Sequence, residues 1–469
     1  MPPLLLDDDR ALPADPTTRG LAREIYRQVA DLPLVCMHGH VDAAVLAADQ
    51  PFPDPASLLV VPDHYLLRML VSQGVELTDL GVPAAGGGPV ETDPRRIWRT
   101  FCAGWHLFRG TPTRYWLEHE LHEVFDVRTR PSAESADALY DHIAERLAKP
   151  DFRPRALFER FGIEVLATTD SPLSPLADHA ALGADGWGER VVPTFRPDAL
   201  LHVDGPEWRA DVAQLAALTG VDTGSYAGFL DALRARRRAF VEAGALATDH
   251  GHFGTAIGPI DEPERIFDAA RAGTVDAAAA EALAGHLLFE MARMSCEDGL
   301  VMQLHPGVLR NHDRAAHATY GPDKGFDIPV AAEFTRGLRP LLETFGRDRR
   351  FRLVVFTVDE TVYARELAPL AGVYPAMRLG APWWFLDTPD GMRRFREAVT
   401  DTAGFYNTTG FVDDTRAFVS IPARHDLARR IDAGHLARLV AEHRLDLDEA
   451  LETAVDLAYR LPRSSYARP

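Results

Sequence analysis

Short apolar segments that end in polar residues recur along the whole chain. Segments of this length, without alternation of apolar and polar positions, are typical of strands buried on both faces in parallel sheets. Eight of them occur, at residues 34–40, 165–170, 191–198, 245–250, 300–305, 353–359, 377–385 and 405–414. Between most of them lie Ala-, Leu- and Arg-rich stretches with helical spacing, such as residues 226–243, 277–296 and 332–345.

This alternation predicts an α/β fold, and eight strands favour a (β/α)8 TIM barrel with its active site at the carboxyl ends of the strands. Residues 41–164 are too many for one crossover and contain several helical patterns, so we predict a helical insertion after the first strand that caps the active site. Residues 1–469 then form a single barrel domain. An open doubly wound sheet is the rival fold, but the chain has no GxGxxG or Walker-type phosphate loop.

Composition excludes several classes of partner. The formal net charge of −19 repels nucleic acid phosphates and anionic lipids, so we expect neither nucleic acid nor a membrane as a partner. No stretch approaches the roughly 18 apolar residues of a membrane span, and the N-terminal segment lacks the pattern of a signal peptide. Three widely spaced cysteines fit a reducing compartment, and we predict a cytoplasmic protein.

The first apolar segment ends in His38-Gly39-His40. Residues i and i+2 of a strand point to the same face, so the two imidazoles can aim at one point, as in many metal sites. The spacing alone is a weak signal, because a second pair with the same spacing occurs at His250 and His252.

Other short motifs accompany the first histidine pair in a fixed order. They are HGH at 38–40, DHYLLRM at 63–69, TTD at 168–170, TFRPD at 194–198, TDHG at 248–251, VMQLHPG at 301–307, LRN at 309–311, GPD at 321–323, GFD at 325–327, WWF at 383–385, DTR at 414–416 and RH at 424–425. In order and spacing, over nearly the whole chain, they resemble the uronate isomerase (glucuronate/galacturonate isomerase) family of the metal-dependent amidohydrolase superfamily.

The chain also departs from the pattern of that family beside several motifs. Ser171 follows Asp170 where an Asp is usual, His312 and Asp313 stand where Asn residues are usual, and Ala-Pro precedes the paired Trp where Ser-Ala is usual. We therefore expect a divergent member, and which uronate it would use stays open.

The resemblance implies a metal site made by the first and last strands. His38, His40 and Asp414 would bind one divalent ion, which we expect to be zinc, with manganese as the alternative. His305 ends the fifth strand, and whether it binds the metal or hydrogen-bonds the substrate stays open.

The resemblance also implies a catalytic pair outside the strands. His64 and Tyr65 lie in the insertion, which would fold over the sugar, and Asp414 would exchange a proton with a substrate hydroxyl. Which of these groups is the general base is left open.

Substrate binding is implied for three further side chains. Arg196 and Arg416 would hold the carboxylate of a sugar acid at the barrel mouth, because two guanidinium groups suit bidentate capture of a carboxylate. Trp384 would line the sugar site, although it could equally be a packing residue.

The function implied is the interconversion of a hexuronate, D-glucuronate or D-galacturonate, and its 2-keto isomer by a metal-dependent aldose–ketose isomerase. A metal-dependent hydrolase or lyase on the same barrel is the alternative, although hydrolysis needs neither the His64-Tyr65 pair nor the two arginines. A barrel that has lost activity and serves as a binding module is a third possibility. We expect a homo-oligomer, with the number of subunits left open.

Overall fold

The computed structural model describes residues 2–467, and its strands are short and largely buried. The strands are β1 Leu34–Cys36, β2 His38–Gly39, β3 Ile163–Ala167, β4 Val191–Val192, β5 Ala247–His250, β6 Val301–Leu304, β7 Val308–Leu309, β8 Ile328–Pro329, β9 Leu353–Val355, β10 Met377–Leu379 and β11 Asp414–Thr415. Every residue of β1, β5, β6 and β9 is buried, as expected of parallel strands covered on both faces.

Parallel pairing links these strands in the order of the chain. β1, β3 and β4 form one sheet, β5, β6, β9 and β10 form a second, and β11 pairs with β2. Single parallel bridges join Phe195 to both Asp170 and Thr248, and Leu379 to Thr408. Among the strands of residues 2–467, β7 and β8 are the one antiparallel pair, and an isolated antiparallel bridge joins Pro3 to Thr129. The predicted α/β class is confirmed, although the regular strands within residues 2–467 form no closed sheet.

Helices occupy nearly all of the interval between β2 and β3. The helices as far as β3 are α1 Pro16–Val29, α2 Ala43–Ala48, α3 Pro55–Leu59, α4 His64–Val71, α5 Pro94–Ala103, α6 Pro112–His119, α7 Ala136–Leu147 and α8 Pro154–Arg160, with 3-10 turns at Leu77–Leu80, Trp105–Phe108 and Pro150–Phe152 and a π turn at Glu120–Val124. Their apolar faces form a core around Trp98, Phe101 and Phe158 that continues onto the outer faces of β1 and β3.

The later helices mostly alternate with strands. They are α9 Ala177–Ala184, α10 Asp198–Leu201, α11 Trp208–Thr219, α12 Tyr226–Glu242, α13 Pro263–Ala272, α14 Ala277–Asp298, α15 Arg314–Tyr320, α16 Arg339–Phe345, α17 Ala368–Val373, α18 Pro389–Ala403, α19 Ile421–Ala441, α20 Leu447–Val455 and α21 Leu461–Ser465, with 3-10 turns at Trp384–Leu386 and Phe418–Ser420 and π turns at Tyr363–Leu367 and Asp456–Arg460. Among the helices of residues 2–467, none has the length and apolar character needed to cross a membrane.

Two sequence predictions differ from the structure in their boundaries. The helix predicted over 332–345 is wrong in its first half, because the Glu366 carboxylate accepts hydrogen bonds from the backbone N–H groups of Phe334 and Thr335, at 2.7 and 3.0 Å, and holds this stretch as a loop. The strand predicted over 405–414 is mostly irregular, since the Phe411 N–H bonds to the Leu457 carbonyl of the C-terminal helices instead of a neighbouring strand.

A close backbone contact explains the glycine between the two histidines of β2. A Cβ built on Gly39 would lie 2.6 Å from the carbonyl oxygen of Ala167 on β3, well inside van der Waals contact. The other side of the same strand is fixed by the His40 N–H, which donates to the Thr415 carbonyl at 2.8 Å. Only glycine therefore lets β2 fit between its neighbours.

We expect Gly39→Ala to lower the free energy of unfolding by about 1–3 kcal/mol, because the added methyl group forces β2 away from β3. The measurement is urea or thermal denaturation of the purified variant. Gly86→Ala is the matched control, since no atom lies within 4 Å of its built Cβ. Equal stability of the two variants would contradict the proposed contact.

Candidate functional site

The carboxyl ends of the strands surround a cleft of about 660 Å³. Eight of the nine side chains singled out in the sequence contribute to its lining: His40, His64, Tyr65, Arg196, His305, Trp384, Asp414 and Arg416. The ninth, His38, is buried with only 4% of its surface exposed, and its ring lies 5.7 Å from that of His40. The structure therefore brings together residues from strands and helices that are far apart in the chain.

His38, His40 and Asp414 form a cluster in which one possible ligand atom of each lies within 4.8 Å of the others. The parallel register of β2 and β11 sets Asp414 opposite His38, and His40 Nε2 lies 3.0 Å from Asp414 Oδ1. His38 Nε2 is buried and has no hydrogen-bond partner among the described residues. Two imidazoles and one carboxylate suit a divalent metal ion with open coordination positions.

The protonation states of this cluster also suit a metal. Burial lowers the pKa of His40, so its imidazole is neutral near pH 7 and one of its two ring nitrogens carries a lone pair. Burial alone would raise the pKa of Asp414, but its hydrogen bond to His40 and the charges around it hold that pKa well below the usual range. Asp414 is therefore an ionised oxygen donor.

A second cluster lies beside the first and includes His38, Asp249 and His305. Here the polar atoms already have partners: His305 Nε2 lies 2.7 Å from Asp249 Oδ1, and His38 Nδ1 lies 3.0 Å from the Gln303 Oε1 oxygen. Asp249 also accepts a salt bridge from Arg196 at 3.2 Å. These partners make the second cluster a poorer metal site than the first.

The helical interval contributes Tyr65 and His64 to the lining of the cleft. Asp63 caps α4, because its Oδ1 accepts the backbone N–H of Tyr65 at 2.8 Å, and the caps of such helices set their first turn. The rings of His64 and Tyr65 stack with centroids 4.4 Å apart. Burial raises the pKa of Tyr65 far above its usual value and lowers that of His64 to about 4, so the phenol is protonated and the imidazole neutral.

The two predicted arginines differ in how far their charges are already compensated. Arg196 donates to Asp198 at 2.9 Å and forms a salt bridge with Asp249 at 3.2 Å. Within the described residues Arg416 has one salt bridge, to Asp323 at 3.4 Å, and 39% of its side chain is exposed. Arg416 is therefore the cation more available to an anionic ligand.

Trp384 has an unusual backbone conformation for a bulky residue. Its φ of 51° lies in the left-handed region, which large side chains rarely adopt and which recurs at functional sites. The ring faces Arg310, whose guanidinium carbon lies 4.8 Å from the ring centroid, and His64 at 6.0 Å. The indole Nε1 is buried, and no residue of the described chain accepts its hydrogen bond.

Arg424 lines the cleft and belongs to the RH motif at 424–425, but it is not among the predicted site residues. It donates to the Asp414 carbonyl at 2.9 Å and to Asp387 at 2.6 Å, and it stacks over the Trp116 ring at 4.0 Å. It therefore joins the last strand to the helical wall. Its position in α19, after the strands, gave no strand-end signal.

Gln303 is the second residue that the sequence reasoning missed. It lies on β6, two positions before His305, and its side chain is completely buried beside His38. The i, i+2 spacing that singled out His38 and His40 also relates Gln303 to His305, so this signal was present in the sequence.

Comparisons with known proteins show the family. The profile of the glucuronate isomerase family matches residues 17–466. A uronate isomerase of Rhizobium meliloti is 55% identical over 464 residues, which are 98% of this chain and 99% of that protein.

The chain belongs to the glucuronate isomerase family. This finding confirms the predicted family and the prediction of an isomerase, and it does not favour the hydrolase or lyase alternative. Two solved structures agree: a glucuronate isomerase of Caulobacter crescentus, with 49% identity, a TM-score of 0.97 and coverage of 100% of this chain and 98% of that one, and a uronate isomerase of Thermotoga maritima, with 27% identity, a TM-score of 0.92 and coverage of 99% and 100%.

Glu120 gives this member of the family a buried carboxyl group directly after α6. Burial, and to a smaller degree the charge of Asp63, raises the pKa of Glu120 to about 8. Between about pH 4.3 and pH 8 the unfolded chain loses this proton while the folded chain keeps it. The free energy of unfolding therefore falls as the pH rises through this window and levels off above it.

We expect Glu120→Gln to stabilise the protein at pH 8.5 by about 2–4 kcal/mol and to have little effect at pH 4.5, because the amide removes the ionisation. Urea denaturation at the two pH values measures the difference. Glu145→Gln is the control, because the Glu145 side chain is 77% exposed and should matter little at either pH. Equal gains at both pH values would contradict the prediction.

Proposed function

We propose that the protein interconverts a hexuronate, D-glucuronate or D-galacturonate, and its 2-keto isomer. The observation that carries this proposal is the composition of one cleft of about 660 Å³, a size that fits a sugar acid, which His40, Asp414, Tyr65 and Arg416 all line. Membership of the glucuronate isomerase family supports the same reaction. The partner is a small sugar acid, which a cleft cation can hold despite the net charge of −19.

We also propose that the parallel strands close into a (β/α)8 barrel. The pairs and bridges run from β1 through β3, β4, β5, β6, β9 and β10 to Thr408, and β11 returns to β2 beside β1. Residues 41–164 would then be the helical insertion that caps a single barrel domain, since α4 supplies His64 and Tyr65 to the cleft. The site at the carboxyl ends of the strands is the usual place in such barrels.

His38, His40 and Asp414 would hold one divalent ion, zinc by our proposal and manganese as the alternative. The unpartnered Nε2 of His38, the neutral His40 and the ionised Asp414 support this ligand set. When bound, such an ion polarises a carbonyl group and favours ionisation of the adjacent hydroxyl. We assign His305 to the substrate, because its Nε2 is already bonded to Asp249.

The proton transfers are assigned to Asp414 and Tyr65. Asp414, held in its ionised form, takes the proton from C2 of the aldose while the Tyr65 hydroxyl donates its proton to the oxygen on C1, which gives an enediol. Asp414 then returns its proton to C1, and the Tyr65 phenolate removes the proton from the oxygen on C2. The net result is the ketose, with both side chains restored. His64, stacked on Tyr65, fixes the position of the phenol ring.

Arg416 and Trp384 are assigned to binding. The guanidinium of Arg416 would hold the substrate carboxylate as a fork, while Arg196, already bonded to two carboxylates, contributes a fixed positive charge near the reacting oxygens. The buried indole N–H of Trp384 is free to donate to a sugar hydroxyl within the described site.

The decisive experiment is Tyr65→Phe, which removes one oxygen and little volume. We expect uronate isomerisation to fall by about a hundredfold or more, the usual scale for a lost acid–base group, with fold and metal content retained. Ketose formation from both uronates is the assay. Tyr140→Phe, a buried tyrosine on α7 outside the cleft, is the control. Full isomerase activity of Tyr65→Phe would refute this assignment.

Replacing Arg416 by Lys keeps the charge but loses the planar fork. We expect kcat/KM for a uronate to fall by about ten- to a hundredfold, equivalent to about 1.4–2.8 kcal/mol. Steady-state kinetics with a uronate and with the matching aldohexose test the role, since the variant should affect only the acid. Arg336→Lys is the control, because that side chain is 86% exposed. Equal losses for both sugars would contradict carboxylate binding.

A further inference from the structure

Gln303 and Tyr466 form a buried hydrogen-bond chain behind His38. The Tyr466 hydroxyl donates to Gln303 Oε1 at 2.7 Å, and the same oxygen lies 3.0 Å from His38 Nδ1. Gln303 is completely buried, and Tyr466 is 1% exposed. None of the roles assigned above uses either residue.

Each of these hydrogen bonds has one direction that leaves His38 Nε2 without a proton. Burial raises the pKa of the Tyr466 phenol far above its usual value, so the hydroxyl keeps its proton. An amide oxygen has two lone pairs and can accept one bond from Tyr466 and a second from a His38 Nδ1–H group. With the proton on Nδ1, Nε2 carries the free lone pair, which is the nitrogen without a protein partner in the described chain.

The reverse orientation of the amide is chemically inconsistent with a ligand at this position. An Nε2 amino group of Gln303 would need His38 Nδ1 as an acceptor, which puts the imidazole proton on His38 Nε2. An imidazole nitrogen that carries a proton cannot bind a metal ion. Donation by Tyr466 therefore matters, because a hydroxyl proton directed at Gln303 holds the oxygen, and not the amino group, toward His38.

We propose that Gln303 and Tyr466 are positioning residues that hold His38 in the Nδ1–H tautomer, with Nε2 directed at the metal. The inference rests on the metal site of the proposed function and adds two residues that do not touch the substrate. Outer hydrogen-bond partners of this kind fix the tautomer and ring orientation of metal-binding histidines.

The same contact gives the end of the chain a role. Tyr466 follows α21 and packs in the apolar cluster that contains Val35, Val301 and Val354 on the strands. The C-terminal helices therefore carry a hydroxyl into the buried interior, where it would cost about 1–3 kcal/mol if it had no hydrogen-bond partner. Gln303 Oε1 accepts the hydrogen bond of that hydroxyl and also contacts His38 Nδ1, so the position of Tyr466 affects the orientation of His38.

The test uses four variants of the full-length protein. Gln303→Met removes the acceptor at similar volume, Gln303→Glu retains an acceptor oxygen, and Tyr466→Phe removes only the donor. Tyr363→Phe is the matched control, because Tyr363 is also buried and its hydroxyl has no partner within the described chain.

The first readout is the Zn²⁺ affinity of metal-free protein, measured by competition with a chromophoric chelator. We expect Gln303→Met to weaken binding by about ten- to a hundredfold and Tyr466→Phe by about two- to tenfold. Gln303→Glu should stay within about threefold of the parent protein, and Tyr363→Phe should be unchanged. The second readout is the ¹⁵N chemical shift of His38 in metal-free protein, which should lose its Nδ1–H signature in Gln303→Met.

Unchanged Zn²⁺ affinity in folded Gln303→Met, or equal losses in Gln303→Met and Gln303→Glu, would overturn the proposal in favour of a packing role. If Gln303→Met does not fold, the Zn²⁺ affinities of Tyr466→Phe and Tyr363→Phe are compared instead, and equal affinities would overturn the proposal. A parent protein that binds Zn²⁺ with this variant pattern but does not isomerise uronates leaves the inference standing and refutes the proposed function. If the parent protein isomerises uronates and all four variants bind Zn²⁺ as tightly as the parent, the proposed function stands and the inference is refuted.

Discussion

The pairing of β2 with β11 is the constraint on which the site depends. Two strands from opposite ends of the sequence run side by side in parallel, and their register sets Asp414 opposite His38. Contacts on the side away from the cleft hold both strands in place. Gly39 of β2 allows close contact with β3, and Asp413, directly before β11, accepts a hydrogen bond from His425 of α19 at 3.1 Å. If β2 and β11 did not pair, His38, His40 and Asp414 would not come together.

The cleft has to satisfy two opposite electrostatic demands. A cation site needs carboxylates, whereas an anionic sugar needs positive charge, and both must lie within one cavity of about 660 Å³. The structure meets both demands by pairing most of the arginines in the cleft with carboxylates. Arg424 is bonded to Asp387 and Arg196 to two carboxylates, so these charges largely cancel locally, whereas the Arg416 guanidinium has a longer salt bridge, to Asp323 at 3.4 Å, and is partly exposed. His64 is neutral and Tyr65 is protonated, so neither side chain adds a charge to the cleft.

Strand ends could be predicted from the sequence, whereas helix-borne and interior polar residues could not. His40, Arg196, His305 and Asp414 end apolar segments, and the parallel-sheet rule collects such ends at one edge. Tyr65 was found only through a motif resemblance, because an aromatic residue in the first turn of a helix has no local signal of exposure to a cleft. Gln303 shares the i, i+2 spacing with His305, but its role depends on the buried contact with His38, which the spacing does not reveal. Arg424 depends on tertiary partners that periodicity does not encode, just as Glu366 prevents the predicted helix from beginning before Arg339.

Several buried polar atoms at or next to this cleft have no protein partner within residues 2–467, and their presence links ligand binding to stability. They include His38 Nε2, His64 Nε2, Trp383 Nε1 and Trp384 Nε1, each of which costs about 1–3 kcal/mol if left unsatisfied in the interior. A core evolved for stability alone would replace such groups by apolar side chains of similar shape. Their presence, like the left-handed backbone of Trp384, is explained if the metal and the sugar supply the missing partners. A ligand that binds only the folded state adds its binding free energy to the stability, and this gain offsets the cost of the unpaired atoms.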